Sequence, residues 1–178
     1  MSYTILRRKR LGMSSCVGIS EFSKTGIKWV RNDKEFPEST GVIRWGCTSD
    51  IPKGLTILNK AAAIHEVNDK AAFRIKLSDV ELAPISVSNE EVGAKGLRLL
   101  GLNYPVIVRP NKHAQGHNLY LCKDDAETME ALARTGRDGY TSEYIDKVKE
   151  YRVAVVQGRA VWVVEKTPGN PDDVGWNV

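Results

Sequence analysis

Asn103-Tyr-Pro-Val-Ile-Val-Arg-Pro-Asn-Lys-His-Ala-Gln-Gly-His-Asn-Leu-Tyr-Leu-Cys122 reads as two apolar strands joined by a polar loop. Val106, Ile107 and Val108 form one short β-branched run, and Leu119, Tyr120 and Leu121 a second; such runs bounded by turn residues predict strands. Between them lie Arg109, Lys112, His113, Gln115, Gly116, His117 and Asn118. A loop of this composition suits an anion. Gly116 admits positive φ and lets backbone N–H groups approach a ligand closely, while Arg109 leaves a strand end whose packing would hold it in place. Basic loops between strands are more often merely solvated, so the flanking segments have to decide.

Toward the N-terminus, Gly101 closes a short helix that Asn89-Glu-Glu91 opens and that carries Leu97, Leu99 and Leu100. Leu82-Ala-Pro-Ile-Ser-Val-Ser88 predicts a strand entered through a proline. From Asn59 the spacing turns helical, with Ile64, Val67, Ala71, Phe73, Ile75 and Leu77 including several three-to-four-residue steps. Asn68-Asp69 offers an N-cap for a helix over 70–80. Lys70 then falls in the first turn, where the helix dipole does not favour a cation. Earlier still, residues 3–8 predict a first strand, Ser14-Ser15 caps a helix over 16–24, and 27–30 and 42–45 predict further strands, with Pro37, Ser39 and Gly41 in the loop between them. Arg44-Trp45-Gly46 ends the last of these at a glycine. Alternating strands and helices favour an open, largely parallel α/β sheet. Strand, turn and helix in this order resemble a nucleotide-binding α/β unit, although no G-x-G-x-x-G follows the first strand.

Toward the C-terminus, Asp124-Asp125 caps a helix over 126–134, and Gly136 and Gly139 release the chain into Tyr140-Thr-Ser-Glu-Tyr-Ile145. A charged turn, Asp146-Lys-Val-Lys-Glu150, leads to two strands, 151–156 and 160–166, around the tight hairpin Gln157-Gly158-Arg159. Trp176 and Val178, with no element after them to pack against, predict a chain cut in mid-domain.

At 178 residues the chain has room for one large domain or two small ones. An apolar content of 42% with 27% charged residues is ordinary for a soluble protein. No apolar run approaches the roughly 20 residues needed to span a bilayer, and the N-terminus lacks an apolar signal core. A cytoplasmic protein without membrane contact is expected. Cys16, Cys47 and Cys122 are odd in number and lack C-x-x-C spacing, which predicts reduced, buried thiols. A net charge of +4 fits a protein that binds a small polyanion, whereas a nucleic-acid binder shows a denser basic face. The run Arg7-Arg8-Lys9-Arg10 reads first as a solvated edge that discourages strand pairing; a nucleic-acid contact there would show steep loss of affinity with salt. His113 and His117 lie four apart, as helical zinc ligands do, but Pro110 and Gly116 oppose a helix and no third ligand follows.

Together these residues resemble an ATP-grasp carboxylate–amine ligase, the class that includes the glutamate ligases acting on ribosomal proteins and related phage-encoded ligases. The resemblance covers roughly residues 60–178. It rests on Pro105-Val-Ile-Val-Arg109 with its glycine loop, on Ser142-Glu-Tyr-Ile145, and on Lys149-Glu-Tyr-Arg-Val153 running into Val164-Glu-Lys166. It implies an α/β architecture with a pre-ATP-grasp domain (1–79), a lid subdomain (80–142) and the start of the C-terminal ATP-grasp subdomain (143–178). It also implies transfer of the γ-phosphoryl of ATP to a carboxylate, giving an acyl phosphate that an amine attacks, on a peptide or protein substrate. By that resemblance Arg109 stands where the family has a strand-end lysine at the α/β-phosphates, a departure that keeps the charge and adds a bidentate fork. Lys70 matches an earlier nucleotide-contacting lysine. His113 and Gly116 fall in a flap, 113–118, that would close over the phosphates. Glu143, Tyr144 and Ile145 match the hinge whose backbone pairs with adenine, Glu150 the acid that accepts from the ribose, and Asn177 an asparagine near the phosphates. Arg152 and Lys166 match the cations that face the transferred phosphoryl.

The largest departure is at the end. The family continues with a late aspartate and a Glu-x-Asn pair that hold the Mg²⁺ ions bridging the phosphates, and this sequence lacks them. The chain alone is therefore expected to bind nucleotide poorly, with no metal ligands of its own, and to need a completing chain or another copy of itself. Two readings stay open: an ATP-dependent ligase or part of one, in the cytoplasm of a host if phage-encoded, and a non-catalytic module that binds nucleotide or serves as a structural partner.

Overall fold

In the computed structural model, residues 2–7, 24, 26–112, 117–156 and 158–166 are described. The chain divides into two units, Met1–Asn68 and Asp69–Val178.

Short β-branched and aromatic runs make the first unit a sheet. Its strands are β1 (Tyr3–Arg7), β2 (Lys28–Arg31), β3 (Gly41–Trp45) and β4 (Thr56–Leu58), in the order β2-β1-β3-β4. Every pairing is parallel, as the alternation of elements predicts. Leu6, Val30, Val42 and Cys47 form its core, with Phe36 and Ile51 packed against them. Gly41 opens β3 where a Cβ would lie 2.5 Å from the Tyr3 ring and 3.1 Å from the Thr56 carbonyl, so a larger residue there would have to displace the tyrosine ring. β4 has no precursor in the sequence pattern: its three side chains are all exposed, so it carries no alternation. Helix α1 (Ala61–Asn68) follows. The helix expected over 16–24 lies outside the described residues except for Lys24, which is helical.

The second unit begins with α2 (Lys70–Ser78), where Asp69 Oδ1 accepts from the Ala72 amide at 3.0 Å, the cap that the sequence predicts. This helix packs on β5 (Ser86–Ser88), and its Ala71 amide donates to Asn111 Oδ1 at 3.1 Å. The strand expected over 82–88 is shorter because Pro84 has no N–H to give a ladder. Next come α3 (Asn89–Lys95), a 3₁₀ turn (Arg98–Leu100), β6 (Val106–Arg109), β7 (Tyr120–Cys122), α4 (Asp125–Thr135) and β8 (Tyr140–Glu143). The sheet runs β5-β8-β6-β7 and is antiparallel throughout.

Alternation along β6 decides what each face does. Val106 and Val108, both fully buried, join Val92, Leu97, Leu102, Cys122 and Ala131 in the core beneath α3 and α4. Ile107 and Arg109 turn to the opposite face. There the register sets Ile107 beside Ser142 and Arg109 beside Tyr140. Beneath the helices, Asn89 ties α3, α4 and β8 together. Its Nδ2 donates to Thr135 Oγ1 (2.9 Å) and to the Gly136 carbonyl (3.0 Å), and its Oδ1 accepts from Thr141 Oγ1 (2.8 Å).

Two longer strands, β9 (Glu150–Val156) and β10 (Arg159–Lys166), form an antiparallel ribbon of their own around the predicted hairpin.

Candidate functional site

The face of the second sheet that Ile107 and Arg109 share opens as a cleft of about 130 Å³. Ser86, Ser142 and Tyr140 line its floor with them, Pro84 and Ile145 add apolar surface, and Glu143 and Tyr144 continue β8 along its edge. Sites for drug-sized ligands run to about 300–1,000 Å³, so this space suits a planar ring better than a whole nucleotide. Three cations also line it: Arg74 from α2, Arg109 from the end of β6, and Lys147.

Arg109 stands where its sequence position predicts, at a strand end held by pairing on both sides. Its guanidinium carbon lies 5.9 Å from the centroid of the buried Tyr140 ring. Its Nε is buried and meets no hydrogen-bond acceptor among the described residues. A buried donor left without a partner is costly unless something else fills the place.

At the β8 edge, the Glu143 amide donates to the Ile85 carbonyl at 2.9 Å and the Tyr144 amide to the Pro105 carbonyl at 3.4 Å. The Ile145 amide has no protein acceptor among the described residues. The extended segment 143–145 thus presents a backbone donor at the lip of the cleft, beside two apolar side chains.

Glu150 begins β9 and pairs in register with Lys166 at the end of β10. Its two oxygens are engaged by different ammonium groups, Oε2 by Lys147 and Oε1 by Lys166. Burial pushes this carboxyl upward, but the two lysines outweigh that and hold it below the ordinary carboxylate range. Each oxygen keeps a second lone pair for a hydroxyl donor. Arg152, two residues on, projects from the same face of the ribbon as Glu150 and is exposed.

The structure therefore brings Arg109, Glu143, Tyr144 and Ile145 into one cleft, and links Glu150 and Lys166 to it through Lys147. Lys70 sits half-buried in the first turn of α2 and is not among the cleft-lining residues; Arg74, one turn further along the same helix, lines the cleft instead. His117 and Asn118, at the end of the expected flap, are exposed. His113, Gly116 and Asn177 lie outside the described residues. Two lining cations were missed in the sequence. Arg74 could have been found from Lys70, since residues four apart share a helix face; Lys147 is one charge among several in a short turn and carried no such signal.

Among the described residues, no three His, Cys, Asp or Glu side chains come together to hold a metal ion. The described donor set does not fit Mg²⁺. Nor, among the described residues, is any helix long and apolar enough to cross a membrane.

No family model and no curated protein matches the sequence. Solved structures do match the fold. An ATP-grasp RimK domain protein from Sphaerobacter thermophilus superposes with a TM-score of 0.56 at 15% identity, over 93% of this chain and 73% of that one. N5-carboxyaminoimidazole synthetase from Staphylococcus aureus, complexed with ADP, gives 0.59 at 13% identity over 85% of this chain and 50% of that one. D-alanine-D-alanine ligase from Helicobacter pylori gives 0.54 at 15% identity, over 93% and 70%. The chain spans between half and three-quarters of the length of these proteins. Likeness at such identity shows the fold alone: a mixed α/β architecture shared with these ATP-grasp structures over most of this chain, as the resemblance implied.

Proposed function

We propose that this chain binds ATP in the cleft of its second unit and belongs to machinery that joins a carboxylate to an amine. One observation carries the reading: Arg109, with its unsatisfied buried Nε, shares a cleft with the extended segment Glu143-Tyr144-Ile145 and its available Ile145 amide. A purine edge needs a backbone donor beside an acceptor, flanked by apolar surface, and Ile107 and Ile145 supply the latter. The polyphosphate needs fixed cations, and Arg74, Arg109 and Lys147 are within the same lining. Ribose hydroxyls would donate to the remaining lone pairs of Glu150, Lys70 and Asn177 would add polar contacts to the phosphates, and the 113–118 loop with His113 and Gly116 would cover them.

In the proposed reaction a carboxylate oxygen attacks the γ-phosphorus and the bond to the ADP oxygen breaks. An amine nitrogen then attacks the acyl carbon, phosphate leaves, and the nitrogen gives up a proton. Charge on the transferring phosphoryl group has to be met by positioned cations, which is where electrostatic catalysis acts. Arg152 and Lys166, on the ribbon face of Glu150, take that role, with a peptide or protein of the cytoplasm as substrate. In this scheme 80–142 serves as the lid and 143–178 belongs to the C-terminal subdomain.

ATP with Mg²⁺ should raise the melting temperature through preferential binding to the folded form, by about 2.7 kcal/mol of stabilisation at a hundredfold excess over Kd. Arg109→Ala should abolish the rise. An undiminished rise in that variant would refute this placement of the polyphosphate.

A second reading, a nucleotide-binding module without turnover, is favoured by the lack of a metal-binding cluster among the described residues. It predicts the same thermal rise with no ADP released over a panel of paired carboxylates and amines, where the ligase reading predicts ADP from at least one pair.

A further inference from the structure

Arg44 is the second arginine in this chain whose buried Nε finds no acceptor among the described residues, and it lies in the other unit. It is only 6% exposed. Its Nη1 donates twice, to the Cys47 carbonyl at 3.1 Å and the Ser49 carbonyl at 2.5 Å. Nη2 donates to nothing among the described residues, and no carboxylate pairs with the guanidinium there. A guanidinium does not shed its proton in proteins, so among the described residues this buried charge is met by two carbonyl dipoles. Burial of an uncompensated charge is strongly unfavourable. Pinning the 47–49 turn accounts for Nη1. It leaves the other edge, the parallel Nε–H and Nη2–H pair that matches a two-oxygen anion, without a purpose.

The topology supplies an independent reason to look there. All four strands of this sheet are parallel, so their carboxyl ends share one edge, and the order β2-β1-β3-β4 reverses direction between β1 and β3. Open parallel sheets bind ligands outside the carboxyl ends of the strands at such a switch point. Arg44 is the penultimate residue of β3 and pairs in register with Leu6 of β1. Arg7 and Arg31, the last residues of β1 and β2, pair with each other at this edge but turn to the opposite face, where Arg31 meets Asp33 and Arg7 lies over the Trp29 ring. Arg44 is thus the cation on the face it shares with Leu6 and Val30. Asn59 Nδ2, donating to the Arg44 carbonyl at 3.0 Å, fixes the backbone from which the guanidinium projects.

We infer that the first unit carries an oxyanion site of its own, in which the Nε–Nη2 edge of Arg44 takes a carboxylate or phosphate group of a small molecule at the β1/β3 switch point. The site is separate from the nucleotide cleft and holds whether or not ATP is the ligand there.

The test is a titration of the ¹⁵N-labelled full chain, followed at the arginine Nε–H signals. The Arg44 signal is assigned by its loss in Arg44→Lys, or by through-bond correlation if that variant does not fold. Sodium acetate, or sodium phosphate in a parallel arm, should shift this one signal saturably, with a half-point on the order of 1 mM. The arm with the lower half-point names the class of anion. Arg109→Ala should leave the response intact. An Arg44 signal that moves no more with acetate or phosphate than with sodium chloride at matched ionic strength overturns the inference, as does a response that disappears with Arg109.

Discussion

Glu150 shows how much of a site is set by neighbours far away in sequence. Its carboxylate receives Lys147 from the preceding turn and Lys166 from the far strand of the ribbon. Despite the opposing effect of burial, the pair holds it below its ordinary value of 4.5, so over the acid range the folded chain binds fewer protons at this position than the unfolded chain. Its contribution to stability is therefore complete above about pH 4.5 and is lost as pH falls through the lower folded value. Glu150→Gln should be less stable than the parent at pH 7 in urea denaturation, and the gap should narrow as pH falls below the ordinary carboxylate value; a gap of constant size would mean that the ion pairs contribute nothing. At this scale the sequence was legible where one residue's neighbours are local. Arg109 could be placed at a strand end because Val106 to Val108 announce the strand, and Glu143 to Ile145 could be placed on an edge because two glycines precede an extended run. The partnership of Glu150 with Lys166 was not legible as such, because only the register of the ribbon makes it.

Elements were read well where a cap or a glycine marked their ends and poorly where nothing did. Asp69 announced α2 through its spacing from the apolar positions behind it, and the structure has it bonded to the Ala72 amide. Asp69→Ala should cost about 1 kcal/mol in urea denaturation, the usual loss for an N-cap. β4 escaped notice because three exposed residues show no period, and β5 came out shorter than expected because a proline inside a run removes ladder donors. Gly139 had a role that no pattern displays. A Cβ there would collide with the Arg109 carbonyl and with Nδ2 of Asn89. The glycine thus allows β8 to lie against β6 just where Arg109 leaves the sheet, and it sits over the network that joins α3 to α4. Gly139→Ala should destabilise the chain by about 1–3 kcal/mol, as overpacking does. It should also weaken the thermal response to ATP. Parental stability with a full ATP response would show that the backbone yields without cost and that Arg109 does not depend on the close approach.

Across the molecule, the two units differ in the kind of sheet they build and in the anion each is proposed to hold. The first is parallel and buries Arg44 near the carboxyl end of β3; the second is antiparallel and opens the face away from α3 and α4 beside Arg109. Alternating strands and helices made the parallel character of the first legible in advance, whereas Arg44 passed as the end of a strand because burial of a charge leaves no trace in a sequence. Every residue that lines the cleft beside Arg109 falls between Arg74 and Lys147. Hydrogen exchange of the full chain should therefore slow on addition of ATP at 84–86, at 107–109 and at 140–147, where cleft backbone is covered. The amides of β1 and β3 should exchange at unchanged rates, since none of their residues belongs to that lining. Thermal stabilisation alone cannot make this distinction, because binding anywhere on the folded form raises the melting temperature. Protection confined to 3–7 and 41–45, with β6 and β8 exchanging as before, would move the nucleotide to the Arg44 edge of the parallel sheet and leave the cleft beside Arg109 without its ligand.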